Sequence, residues 1–553
     1  MNQLALPSHL RRYIRLAAGS CFLPVLLMAN PASAARRITV EYGLVSRSIP
    51  VESLKTYADQ GTLTPELRDY VRSLNPTQLR QLQEILRAKV ELSPVAVSQF
   101  LYTEQGEILL RRLGTVIHTD AGLSGFYAIR ASLILAAADP DGLTLLNVLE
   151  KFPLQDVKIN VGQALRILGD LENLIQESQD TFQEIDRQAT LESIASAKGV
   201  APNLPDLRSP GSFTWQKLTI EVNNPHRQRS LPADIYLPET HTHEPVASAP
   251  VIVISHGLGS DRTSFAYLAK QLASYGFVVA VPEHPGSDAQ RLQTLLSGAV
   301  SQLIEPNEFI NRPLDVKYLL DELTTLSQSD PRFSGRMNLQ DVGVMGQSFG
   351  GYTALALAGA TFDLKHLASD CANNNSLNPA LLLECRVQNM VEPIPDLRDR
   401  RVKAVLVVNP IGSSLFGKSG YETISVPIMM VSSSNDTAAP ALLEQIRPFT
   451  WLKPSDEKYL VLLQGGTHFS TIDTSSSGKD VIPLAPSIIG PDPAIAFAYL
   501  KTLSVAFAKT YLTNDASYRS YLNAAYTTTI SHPAMPIQLV RSLPPLKIDE
   551  INR

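Results

Sequence analysis

Cysteine is scarce in this chain, a basic surplus is missing, and no apolar run is long enough to cross a bilayer. Each shortage removes a class of function. The balance of 48 Lys and Arg against 53 Asp and Glu leaves a net charge of −5, so there is no cationic footprint for a nucleic-acid partner. The first long apolar stretch, Leu16 to Ala29, is interrupted by Pro24 and falls short of the ~18 to 20 residues that a membrane span needs. Arg11, Arg12 and Arg15 precede it and Ala32-Ser33-Ala34 follows. That is the arrangement of an export signal cleaved after Ala34, with an uncleaved anchor as the alternative. Of the 3 cysteines, Cys21 lies within this stretch. Cys371 and Cys385 remain, and an even pair in an exported chain favours a disulfide over two reduced, buried thiols. Internal repeats are also absent.

The material for packed cores is ample: 44% of the 553 residues are hydrophobic and 18% charged. Such a length admits about three domains, or one large domain with additions. After the signal at 1–34, the pattern over 35–200 is helical. Thr64-Pro65, Asn75-Pro76 and Ser93-Pro94 each set a capping side chain before a proline whose missing N–H would have had no partner. Ala128 to Ala138 is almost wholly apolar and predicts a buried helix, and Gln163 to about Ala197 predicts a long amphipathic one. Neither a metal-ligating cluster nor a nucleotide loop occurs here. The region is either a packing domain or a lid over a site elsewhere. The prolines of 201–211 mark a linker.

From 212 to about 525 the pattern changes to strands and helices in alternation. Trp215 to Val222 and Ser230 to Leu237 predict a hairpin. Pro250 to Ser255, Phe277 to Val281, Val342 to Met345, Val402 to Val408, Ile428 to Val431 and Tyr459 to Leu463 are short apolar runs separated by helical segments. Strands buried on both faces read this way, which calls for a mostly parallel sheet covered by helices. Residues 361–400 interrupt the alternation as an insertion holding the two cysteines, and 526–553 reads as a tail that wraps the surface or is partly disordered.

The chemistry centres on Gly346-Gln347-Ser348-Phe349-Gly350. A short apolar run precedes it and an Ala/Leu-rich helical segment follows. In that setting G-x-S-x-G is a nucleophile elbow, a strained turn that lifts a serine hydroxyl above the sheet. A solvated serine in a glycine loop is the plain alternative. The order rule for such sheets then asks for an acid and a histidine after later strands. Ile428 to Val431 leads into Asp436, and Tyr459 to Leu463 leads into His468. Asp436 could instead cap the helix that begins near Ala438. The loop after Val402 to Val408 offers Asn409, which lacks the anionic charge that stabilises an imidazolium. Ser255-His256-Gly257-Leu258-Gly259-Ser260 stands where an oxyanion loop belongs. Its donors would be the N–H groups of Leu258 and Phe349, each worth roughly 3 to 4 kcal/mol to the transition state. His256 reads as packing beneath that turn, His284 as a residue of the pocket rim, and His241-Thr242-His243-Glu244 as a polar connection before a strand, without the supporting residues a metal site needs.

Ser255 to Gly259, Leu272 to Ala280, Glu283-His284 and Gly346 to Gly351 together resemble the plasma-type platelet-activating factor acetylhydrolases. The arrangement behind an exported helical domain also resembles a bacterial family of α/β-hydrolases. The resemblance implies an α/β-hydrolase fold preceded by an all-α N-terminal domain, and serine ester hydrolysis without cofactor or metal. The implied substrates are small or lipid esters with short acyl chains, met at a membrane surface where they are lipids. The chain departs from the acetylhydrolases at Asn409, where those enzymes keep their acid. A peptidase or amidase using the same residues, and a non-catalytic envelope protein retaining the fold, are the competing readings.

Overall fold

The computed structural model describes residues 35–544 apart from 43–44, 73, 91, 197–203, 373–375, 456 and 475–485. The expected export signal at 1–34 lies outside the described residues. Fifteen strands are described: β1 (Arg37–Tyr42), β2 (Val45–Pro50), β3 (Lys89–Val90), β4 (Ile117–His118), β5 (Leu143–Thr144), β6 (Asp156–Asn160), β7 (Thr214–Asn224), β8 (Arg229–Glu239), β9 (Ala249–Ser255), β10 (Val278–Pro282), β11 (Met337–Gln347), β12 (Val402–Val408), β13 (Ile428–Ser433), β14 (Lys458–Leu463) and β15 (Ile537–Val540). Four helices matter below: α1 (Val161–Ser196), α2 (Glu308–Ser329), α3 (Phe349–Ala358) and α4 (Pro493–Leu512).

The chain divides into two compact units at Leu168, inside α1. The first unit is not all-α. A four-stranded sheet in the order β2-β1-β6-β4 runs through it, and β3 pairs with β5. The strands escape a helical reading because they are two to six residues long and sit between strong helix starts. Those starts form: Thr64 and Ser93 cap their helices, and Asn75 with Gln78 makes a reciprocal capping box ahead of Pro76. The helix Phe126–Ala138 forms but buries one face alone, with Ala136 enclosed and Leu135 47% exposed.

The second unit is built on a nine-stranded sheet, β15-β14-β13-β12-β11-β9-β10-β8-β7. The six strands from β14 to β10 run parallel, an antiparallel hairpin (β7, β8) closes one edge, and antiparallel β15 closes the other. Alternate residues of β9 feed the two faces. Val251 and Val253 join a core with Leu319 of α2 and Leu355 of α3, while Ile252 and Ile254 join one with Leu272 and Leu503 of α4. Burial on both faces explains why these strands are continuously apolar.

Three boundaries differ from the sequence reading. From Gly169 onward α1 belongs with the second unit, where Ile185 and Ala189 enter its core. The described part of the proline-bearing segment, 204–211, is not a free linker. Leu207 is buried, and the carbonyls of Leu207 and Ser209 accept from Gln271 Nε2 at 2.7 and 2.8 Å. The expected tail contributes an edge strand, because Ile537 to Val540 pair with β14 and are all buried.

Candidate active site

Ser348 stands between β11 and α3 with φ 55° and ψ −118°. A non-glycine residue in such a conformation costs about 1–3 kcal/mol and persists only where its surroundings fix it. Here the Ser348 N–H donates to Val408 O at 2.9 Å, and its carbonyl accepts from Tyr352 N–H at 3.0 Å. Two glycines permit the turn. A Cβ on Gly346 would sit 2.1 Å from Gly350 O, and one on Gly350 would sit 2.0 Å from Ser255 O. The second contact also brings the loop after β9 against the elbow.

His468 and Asp436 meet in the loops after β14 and β13. His468 Nδ1 lies 2.6 Å from Asp436 Oδ2. Asp436 Oδ1 meanwhile accepts from the Ala438 and Ala439 N–H groups at 2.9 and 2.7 Å. One carboxylate therefore both caps the turn and faces the imidazole, so the two roles weighed for it are compatible. Ser348, Asp436 and His468 are 8, 6 and 7% exposed, largely removed from water without being sealed. Gln347 links the elbow to the histidine loop, its Nε2 donating to His468 O at 3.1 Å. Asn409, at φ 44°, is fully buried, and its Nδ2 donates to Ser433 Oγ at 3.1 Å and to Thr467 O at 3.4 Å. It supports the histidine loop through neutral contacts.

The candidate oxyanion donors flank the elbow. Phe349 is the first residue of α3, so its N–H has no partner within the helix. The Leu258 N–H likewise meets no acceptor among the described residues. Beneath this loop lies His256, as the sequence reading expected, together with residues that reading misassigned or missed. His256 is fully buried, with Nδ1 on Gly257 O at 2.8 Å and Nε2 accepting from His284 N–H at 3.0 Å. His284 is not on a pocket rim. It is fully buried between Ser255 Oγ at 3.0 Å and Asp315 Oδ2 at 3.1 Å, because Asp315 on α2 offers it an acceptor inside the core. Burial, with the positive Arg312 nearby, holds both histidines well below their usual pKa, so both are neutral. Glu283 pairs with Arg262 at 2.8 Å; burial raises its pKa. Arg229 pairs with Asp315 at 2.9 Å and Glu308 at 2.8 Å. A signal was available in sequence: Glu308, Arg312 and Asp315 share one face of a helix at spacings of four and three.

The insertion holds a disulfide between Cys371 and Cys385. Adjacent Glu384 is fully buried and accepts from the Gly412 and Leu415 N–H groups at 3.2 and 2.6 Å. Burial raises its pKa well above the carboxylate range, helped by neighbouring Glu444. Among the described residues no three histidine, cysteine or acidic side chains gather as a metal site would require.

Comparison with known proteins bears on this geometry. A family described as alpha/beta hydrolase of unknown function (DUF1400) matches residues 34–160, and platelet-activating factor acetylhydrolase, isoform II, matches residues 231–312. The second unit is an α/β hydrolase by fold. The acetylhydrolase match covers β9, the candidate oxyanion loop, β10 and the start of α2. Platelet-activating factor acetylhydrolase of Cavia porcellus is 22% identical over 302 residues, spanning 49% of this chain and 59% of that protein. About half of this chain is therefore similar to part of that enzyme.

Proposed function

We propose that the chain is a serine ester hydrolase acting through Ser348, His468 and Asp436. The observation that carries the reading is the strained Ser348 at the strand-to-helix turn, in a domain where His468 already holds Asp436 at 2.6 Å. Ser348 Oγ attacks the ester carbonyl while His468 accepts its proton and returns it to the leaving alcohol. Asp436 fixes the tautomer with Nδ1–H directed at its carboxylate and steadies the imidazolium. The Leu258 and Phe349 amides receive the negative charge that develops on the carbonyl oxygen. Water then releases the acyl group by the same steps in reverse.

The acetylhydrolase likeness supports small lipid esters with short acyl chains as the substrate class. The disulfide and the N-terminal signal pattern support an exported location, where such bonds persist. The test is a panel of p-nitrophenyl esters of increasing chain length, with an acetylated phospholipid and a peptide anilide alongside. The reading expects short esters and the phospholipid to be hydrolysed and the anilide to survive. Preferential cleavage of the anilide would make it an amidase, and no turnover by folded protein would end the enzymatic reading.

A further inference from the structure

Arg312 heads the largest fully buried side chains among the described residues. Replacing a buried ion by apolar groups of similar size is often neutral or favourable for stability, so stability alone is a weak reason to keep it. Its contacts converge on one place. Nη2 donates to His256 O and to Ser255 Oγ, the latter at 3.3 Å. Nη1 donates to Ser287 Oγ at 2.9 Å, and Ser287 O in turn accepts the Gly259 N–H at 2.9 Å. Nε donates to Thr353 Oγ1 at 3.2 Å, and Thr353 Oγ1 donates to Phe349 O at 2.9 Å. The guanidinium carbon lies 4.6 Å from the centre of the Phe349 ring. One side chain thus grips the loop on both sides of Leu258 and also braces Phe349.

The donor directions close without conflict. Arg312 donates to Ser255 Oγ, Ser255 O–H to His284 Nε2, and His284 Nδ1–H to Asp315 Oδ2. Ser255, His284 and Asp315 consequently orient the arginine and the start of the loop. A planar guanidinium offers donors in a fixed fork, which an ammonium on a flexible stem cannot reproduce.

We propose that Arg312 is a positioning residue that sets the Leu258 and Phe349 amides to one spacing, matched to the oxyanion of the tetrahedral intermediate. It rests on the reading of Ser348 as nucleophile. Arg312 itself touches no reacting atom.

The test compares wild type, Arg312→Lys, Ser287→Ala and Thr353→Val, each standardised by complete reaction with a fluorophosphonate so that rates are per active site. With p-nitrophenyl acetate, Arg312→Lys should lose about 10²- to 10³-fold in kcat, the loss typical of one missing oxyanion donor, with KM changed less than threefold. Affinity for an alkyl trifluoromethyl ketone, which forms a tetrahedral adduct on the serine, should fall in parallel with kcat. Ser287→Ala and Thr353→Val each remove one anchor and keep the buried guanidinium itself, so they carry the test if Arg312→Lys does not fold. Each should show a smaller loss of the same kind, and combining either with Arg312→Lys should add little. Per-site kcat and ketone affinity equal to wild type, with only the active fraction reduced, would show a purely structural arginine and overturn the proposal. Ester hydrolysis surviving in Ser348→Ala would instead overturn the nucleophile on which it rests.

Discussion

The hydrolase domain carries serine, histidine and aspartate twice. In the buried set, Ser255, His284 and Asp315 are joined by an unbroken chain of hydrogen bonds at 3.0 and 3.1 Å. In the other, Ser348 occupies the elbow while His468 holds Asp436 at 2.6 Å. A search for the three side chains in hydrogen-bonding sequence would choose the buried set. Backbone and burial reverse that choice. Ser255 closes a regular strand, is completely enclosed, and already accepts a hydrogen bond from Arg312. Ser348 sits in a strained turn at a helix N-terminus, next to the Phe349 amide, which has no partner within the helix. A nucleophile is defined by where its reacting partner can stand; the residue types alone build scaffold equally well.

Substitutions can break or sharpen this contrast. The largest effect is expected at Ser348, where Ser348→Ala should lower turnover by roughly four to six orders of magnitude in a folded protein. Ser255→Ala should cost about one to two, through the looser oxyanion loop. Comparable losses at the two serines would erase the distinction. Next comes Asp436→Asn, which favours the wrong imidazole tautomer and should reduce kcat by about 10⁴. Retention of near-normal turnover would mean that His468 takes its orientation from another group.

Acid acts on the stability of the protein through His284. Burial, with the Arg312 and Arg229 charges, holds the pKa of His284 well below the ordinary value of 6.5. Below that value the unfolded chain binds more protons than the folded one, so stability contributed by neutral His284 is lost as pH falls. His284→Gln removes the contribution. Its melting temperature should fall less between pH 7 and pH 5 than that of wild type, and an equal fall would assign the acid sensitivity elsewhere. The smallest effect belongs to Asn409→Ala. Losing a neutral hydrogen bond should cost about 1 kcal/mol of stability and change turnover by about fivefold or less. A loss approaching that of Asp436→Asn would place Asn409 within the reacting set.

The difference between the two sets also decides what the sequence could reveal. The elbow, Asp436 and His468 stand out because glycine spacing and position after apolar strands are local signals. The alternation of buried strands gave the parallel sheet for the same reason. The buried set has no such signature. Ser255 closes β9, His284 follows β10, and Asp315 lies on α2, 31 residues beyond His284, and His284 after a strand resembles any loop histidine. Arg312 reads as one more polar residue on a helix until its partners are known. The same limit hid β1, β2 and β6, six residues or fewer, and β15 between Pro536 and Pro544. Pairing with strands distant in sequence stabilises these short segments, and their own periodicity is too brief to announce them.

The most direct measurement is to label the folded protein with a fluorophosphonate, digest it, and locate the modified serine by mass spectrometry. One equivalent on the peptide containing Ser348, none on that containing Ser255, and no labelling of Ser348→Ala is the outcome expected here. Modification at Ser255, or undiminished labelling of Ser348→Ala, would contradict the assignment of the nucleophile.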